Sequence, residues 1–207
     1  MTTFSLSQNK KTRLLQLARD TITSCLVNGR RGQKPSTTSH CLRAQMKKYQ
    51  TIEIEILKEE LSCFVTLNSF ENGERQLRGC IGTLEPRKGE SLLKNIISNS
   101  LMAAFHDSRF EPLQESELNF IKIEISILSK PVSISYKDKT ELFKKVSGKG
   151  VILQSGYHRA TFLPQVWKQL PQPEDFLRHL SRKAGLFSDD YLTASYETYE
   201  VYAFEEP

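Results

Sequence analysis

Cys80 lies in the run Leu77-Arg78-Gly79-Cys80-Ile81-Gly82, a thiol between two glycines and close to a guanidinium, inside an apolar stretch that reads as a β-strand. Thiol chemistry runs through the thiolate. A cation such as Arg78 favours that form or holds an anionic group, while Gly79 and Gly82 let backbone or ligand come close. The alternative is a buried, inert cysteine, a common fate for free thiols. Two other segments supply polar groups. The loop His106-Asp107-Ser108-Arg109-Phe110 offers an acid and a cation, and Ile121-Lys122-Ile123-Glu124-Ile125-Ser126-Ile127 alternates so that Lys122, Glu124 and Ser126 share one face. In a catalytic reading Cys80 is nucleophile or thiol carrier, and Asp107 or Glu124 handles a proton. Arg78, Gly79, Gly82, Arg109, Phe110 and the more distant Gln165 then line the substrate site. In a structural reading Asp107 caps its loop, Arg109 pairs with a carboxylate such as Glu124, and the Glu124 face is simply solvated.

The elements that must position these residues follow from periodicity. Apolar residues at helical spacing predict a helix over 11–26, and Asn28-Gly29 supplies a stop. Residues 30–50 read as loop with at most a turn of helix, and Ile52, Ile54 and Ile56 alternate as a short extended segment. Strands are predicted at 63–68 and 77–82 about the turn Glu71-Asn72-Gly73-Glu74, then a helix at 90–106 and a strand at 121–128. The order repeats as strands 150–154 and 159–163, helix 173–184 and strand 196–204. A diverged duplication of a β-β-α-β unit, an α+β fold, is the expectation. Pro173 in the first turn of the later helix, with Glu174 and Asp175 beside it and Gly185 after it, marks both helix ends.

Composition bounds the function class. The 207 residues, 38% hydrophobic and 26% charged, suit a globular chain with its own core. No apolar run is long enough to span a membrane and the first residues lack a secretory pattern, so a cytoplasmic protein without membrane association is expected. Cys25, Cys41, Cys63 and Cys80 form no Cys-x-x-Cys pair, which predicts no metal site and no disulfide framework. No phosphate-binding glycine motif or nucleophile elbow occurs, so no cofactor is expected. The net charge of +5 is concentrated in Arg30, Arg31, Lys34, Arg43, Lys47 and Lys48, between Asp20 and Glu53. With Tyr49 as the sole aromatic platform there, this stretch reads as a solvated loop rather than a nucleic-acid contact.

The run Leu77 to Pro86 resembles the signature of the AMMECR domain family. The likeness extends through Phe64-Val65-Thr66-Leu67, Ala103-Ala104-Phe105, Asp107-Ser108-Arg109-Phe110, Ile123 to Ser129, Phe162 to Trp167, Phe176-Leu177 and Lys183 to Leu186. It covers about residues 12–207, and the later segments resemble the bacterial branch called AmmeMemoRadiSam system protein A. The resemblance implies two intimately joined lobes of mainly antiparallel sheets flanked by helices. The duplicated units would exchange their last strands, placing 121–128 with the second unit and returning the C-terminus to the first. The larger lobe would hold 1–118 and 192–207, the smaller 119–191, with a ligand cleft between them. It further implies a grouping with Memo-like and radical SAM proteins, and no established reaction. A cysteine-centred enzyme acting on a small molecule or modified peptide, and a non-catalytic module that binds peptide or protein, both remain open.

Overall fold

A computed structural model describes residues 6–28, 38–49, 54–71 and 73–207. Its elements run α1 (Gln8–Asn28), α2 (Thr38–Tyr49), β1 (Ser62–Glu71), β2 (Glu74–Gly82), α3 (Leu92–Phe105), β3 (Ile121–Leu128), β4 (Val132–Ile134), α4 (Lys139–Val146), β5 (Gly150–Ser155), β6 (His158–Phe162), α5 (Pro173–Lys183), β7 (Ser195–Tyr199) and β8 (Val201–Glu205). The protein is α+β, with one four-stranded sheet ordered β2-β1-β3-β8 and another ordered β4-β7-β5-β6. Contacts divide the chain into Met1–Leu128 with Tyr202–Pro207, and Ser129–Val201.

In the first unit the period-2 pattern of β1 and β3 decides which face is buried. Cys63, Val65 and Leu67 sit opposite Ile127, Ile125 and Ile123 in antiparallel register, and all six are fully buried. Against them packs α3, whose Leu92, Ile96, Ile97, Leu101 and Ala104 form its apolar stripe. Burial of each large aliphatic side chain contributes about 1.5–3 kcal/mol. Ser91 starts this helix by accepting a hydrogen bond from the Lys94 amide. Two buried asparagines of α3 fasten the strand ends. Asn95 Oδ1 accepts from the Cys63 amide at 3.1 Å, and Asn99 Nδ2 donates to the Cys63 carbonyl at 2.9 Å.

The second unit repeats the scheme. The strand order β6-β5-β7-β4 matches β2-β1-β3-β8 element for element, and α5 buries Phe176, Leu177 and Leu180 against Val151, Leu153 and Tyr196. Trp167 stacks on Phe176 with ring centres 3.8 Å apart.

The exchange of strands takes a different form from the expected one. Residues 121–128 stay beside β1, because the four isoleucines of β3 belong to the core under α3. What crosses is the continuation: β4 joins the second sheet, and the strand expected at 196–204 is broken at Glu200 so that β7 pairs in the second sheet and β8 beside β3. The two crossing points are tied together, Ser129 and Glu200 exchanging backbone and hydroxyl hydrogen bonds at 2.9 Å.

Residues 38–49 form a helix rather than the expected loop, since Leu42, Gln45, Met46 and Tyr49 recur at helical spacing and pack on the first core. Lys48 on this helix is engaged by Asp20 at 2.8 Å, while Arg30, Arg31 and Lys34 lie outside the described residues. Ile56 lies in a 3-10 turn, Glu55–Lys58, that follows the extended Ile54, instead of continuing an extended segment, because Ile54, Ile56 and Leu57 are all buried and alternation would expose some of them; Ile52 is outside the described residues. Among the described residues no helix is long and apolar enough to cross a membrane.

Candidate functional site

Pairing across the first sheet sets the position of Cys80. Thr66 lies opposite Cys80 on one side and opposite Glu124 on the other, so Cys80, Thr66 and Glu124 form a row across three strands. The row is on the face turned away from α3, since Gly79 and Ile81 take the α3 side. Cys80 is half-buried, and its Sγ accepts a hydrogen bond from Thr66 Oγ1 at 3.3 Å. Both glycines of the motif have packing reasons. A methyl group at Gly79 would collide with the Ala103 carbonyl of α3, and one at Gly82 with the Phe64 ring and, at 2.7 Å, with the Cys63 carbonyl.

Register slips at Leu67/Asn68, where Leu67 faces Gly79 and Asn68 faces Leu77. Arg78 is thereby the extra residue of a β-bulge, which aims its side chain off the ladder. It donates to Glu117 from Nε at 2.6 Å and Nη2 at 3.1 Å, and its guanidinium is 5.9 Å from the Phe110 ring centre.

Strand β2 is an edge, and the Asp107–Phe110 loop covers that edge at Cys80. Asp107 Oδ2 accepts from the Cys80 amide at 2.9 Å, while Arg109 Nη2 donates to the Cys80 carbonyl at 3.3 Å, so a carboxylate and a guanidinium replace the missing strand. Asp107 is buried and doubly bonded to Arg109, Oδ1 to Nε at 2.9 Å and Oδ2 to Nη2 at 2.7 Å. The Arg109 side chain, joined by the Cys80 and Arg109 amides, holds the Asp107 carboxyl well below the usual carboxylate range in spite of burial. Arg109 also stacks on Phe110, 5.4 Å from the ring centre.

Glu124 pairs with Arg75, not with Arg109. Arg75 Nη2 donates to Glu124 at 2.9 Å and its Nη1 to Glu205 of β8 at 3.0 Å; Ser126 Oγ donates to Glu124 at 3.3 Å and Asn68 Nδ2 to Glu205 at 3.2 Å. The face and edge around Cys80 therefore carry Arg75, Arg78 and Arg109 against Asp107, Glu117, Glu124 and Glu205. Each guanidinium already has a carboxylate.

Cys80, Asp107, Glu124, Arg78, Gly79, Gly82, Arg109 and Phe110 all belong to the first unit. Gln165 is exposed on the 3-10 turn Pro164–Lys168 of the second. Arg75, Glu117 and Glu205 join the site although nothing local in the sequence marks them, and Thr66, within the Phe64-Val65-Thr66-Leu67 run, joins it through strand register. His106 ends α3 as its C-cap and is exposed. Among the described residues no group of three or more His, Cys, Asp or Glu side chains is arranged to hold a metal ion. A hollow of about 430 Å³ in the first unit, between Phe70, Phe120, Lys122 and Arg19, does not include Cys80.

The AMMECR1 family model matches residues 15–206, and so spans both units and every residue of this site. The chain belongs to the AMMECR1 family. It is 33% identical to a protein of Thermofilum pendens over 205 residues, 96% of this chain and 89% of that one. Protein MJ0810 of Methanocaldococcus jannaschii is 35% identical over 157 residues, 73% of this chain and 76% of its own. The crystal structure of the uncharacterized protein PH0010 from Pyrococcus horikoshii superposes with a TM-score of 0.70 at 27% identity, covering 98% of this chain and 94% of that one. The AMMECR1 fold thus accounts for the repeated sheets.

Proposed function

We propose that this AMMECR1-family protein acts on a small molecule or modified peptide at the outer face of its first sheet, with Cys80 Sγ as the reacting atom. The observation that carries the reading is the contrast among the thiols. Cys80 is half-buried and receives the Thr66 hydroxyl, whereas Cys25 and Cys63 are buried and Cys41, though half-buried, packs on the first core. Attack by Cys80 on an electrophilic carbon forms an S–C bond as that carbon releases its leaving group. Thr66 stabilises the sulfur anion by hydrogen bonding, and the displaced proton passes to water or to Glu124, next but one in the row. Asp107 is a positioning residue in this scheme, because a carboxylate held so far below its usual range is a weak base at neutral pH. Arg109, which donates to the Cys80 carbonyl, lies over the Phe110 ring, and Arg78 approaches the same ring. Gln165, and a grouping with Memo-like and radical SAM proteins, enter through the family resemblance.

One observation favours a second reading. Residues 74–77 of the edge strand β2 are exposed beyond the stretch that Asp107 and Arg109 cover, a place where an extended peptide adds as a fifth strand without chemistry. Alkylation with iodoacetamide at neutral pH, mapped by mass spectrometry, separates the two. The catalytic reading expects Cys80 to react faster than Cys25, Cys41 and Cys63, and Cys80→Ser to keep the fold while losing turnover. A native Cys80 that resists alkylation, with a Cys80→Ser variant that retains ligand binding and function, overturns it in favour of strand addition.

A further inference from the structure

The hollow of about 430 Å³ lies apart from Cys80, where the end of β1 meets the start of β3. The paired strands close at Ser69 and Ile121, and one further bond, from the Phe70 amide to the Phe120 carbonyl at 2.8 Å, brings two phenylalanines to the rim of the hollow. Its floor is an ion pair that the fold already uses. Arg19 of α1 donates from Nε to Glu206 at 2.7 Å, from Nη1 to the Leu118 carbonyl at 2.9 Å and from Nη2 to the Ile121 carbonyl at 2.9 Å, with a second Nη2 bond to Glu206. Glu206 in turn accepts from the Ile123 amide at 2.8 Å. Arg19 and Glu206 therefore neutralise each other, and a ligand would have to break several bonds to gain either charge. Lys122 differs. Its Nζ lies 5.2 Å from the Phe70 ring centre and pairs with no carboxylate among the described residues, while the next acid on its strand face, Glu124, is held by Arg75. Phe120 is 57% exposed, a large apolar ring turned to solvent at the rim.

We propose that this hollow is a binding site for a small aromatic monocarboxylate, its ring against Phe70 and Phe120 and its carboxylate on Lys122 Nζ. The volume falls in the range of small-molecule sites, about 300–1,000 Å³, and Leu118 and Ile121 continue the apolar lining. Aromatic rings beside phenylalanines gain more than the area they bury, which favours a ring over an aliphatic body. The charges select the head group. Among the lining side chains one positive charge is left once Arg19 and Glu206 cancel, and it belongs to Lys122. A single carboxylate matches it. A phosphate would bring a second negative charge with no cation to meet it, and an ammonium would face Lys122. Asn119, exposed in the same lining and without a side-chain partner among the described residues, supplies an amide N–H to the carboxylate.

The test titrates the full chain with 3-phenylpropanoate, with its neutral amide 3-phenylpropanamide and with 2-phenylethylamine, by calorimetry and two-dimensional amide NMR. The acid should saturate one site with a Kd of about 1 mM or tighter and shift the amides of Phe70, Phe120 and Lys122, while the amide and the amine bind about tenfold more weakly or less. That comparison on the unaltered chain decides the charge requirement without any variant. Lys122→Met, which keeps the aliphatic stem, should lower the affinity for the acid to that for the amide and leave the amide unchanged. Phe120→Ala, at an exposed position, should weaken acid and amide alike by about threefold or more. Cys80→Ser should alter neither, which keeps this outcome separate from any failure of the Cys80 reading. Equal affinity for acid and amide, full affinity for the acid in Lys122→Met, shifts gathered on the Cys80 face, or no saturation by the acid at about 10 mM would overturn the assignment.

Discussion

Replacing Asp107 by Asn tests whether the loop replaces a strand at the edge of β2. The carboxylate accepts from the Cys80 amide at 2.9 Å, from the Arg109 amide at 3.2 Å, and from Arg109 Nε and Nη2 at 2.9 and 2.7 Å. An asparagine in the same place keeps one oxygen and sets an NH2 against donors that point at the other, so two of the four bonds are lost. Hydrogen bonds to a charged group contribute about 1.5–3 kcal/mol each. The Arg109 side chain is 54% exposed and regains hydration, which reduces its share. The net cost should be about 2–4 kcal/mol, a thermal midpoint lowered by about 5–15 °C for a chain of this length. Because the chain has two units, the diagnostic readout is local: hydrogen exchange at the Cys80 amide should accelerate in Asp107→Asn while amides of β5 in the second unit stay protected. Arg109→Lys should fall between the two proteins, since an ammonium retains the charge and loses the fork. An Asp107→Asn protein within 0.5 kcal/mol of the parent in urea unfolding, with Cys80 exchange unchanged, would refute the reasoning.

Acid should weaken the same region. Asp107 lies well below the usual carboxylate range, chiefly through the Arg109 side chain; Glu117, which burial pushes up, still ends below that range because the Arg78 side chain and the Gln114 amide outweigh the burial. Groups depressed in the folded state contribute stability that is fully present above their unfolded values and is lost as pH falls through the folded ones, so circular dichroism melts should be level near neutrality and decline below about pH 4. Gly79→Ala should cost about 1–3 kcal/mol or more by forcing α3 off β2, because the obstructing Ala103 atom is backbone and cannot rotate away. Gly73→Ala, where nothing lies near the added carbon, should cost only the strain of a positive φ of 81°, about 1 kcal/mol, and denaturant titration of both variants checks the order.

Legibility in the sequence followed the range of the interaction. The alternation of 121–127 marked both the buried isoleucines and the Lys122-Glu124-Ser126 face, because strand period is a local property. The neighbours of Cys80 were hidden, since they depend on register: Thr66 comes opposite Cys80 through the β1–β2 hairpin, and the bulge that ejects Arg78 appears only when the two strands are paired. Arg75 meets Glu124 across 49 residues of chain and Arg78 meets Glu117 across 39. Helix α2 was obscured for another reason. Its stripe is sparse and its surface basic, so local pattern resembled loop, and packing of Leu42, Met46 and Tyr49 on the first core decides the matter.

Those long-range pairs also constrain what the Cys80 face can bind. Read from the sequence, Arg78 and Arg109 looked available to a thiolate or to an anionic ligand. In the structure Arg78 is taken by Glu117 and Arg109 by Asp107, while Arg75 serves Glu124 and Glu205 together, leaving the carboxylates in excess. An anion would have to break an existing ion pair to gain a guanidinium, and at partly exposed sites that exchange yields little. A neutral or positively charged ligand meets no such cost: it can lie on Phe110 and face the second carboxylate at Arg75. On the Cys80 reading the substrate is accordingly a peptide or small molecule whose electrophilic group is uncharged, attacked by a sulfur that accepts a hydrogen bond from the Thr66 hydroxyl.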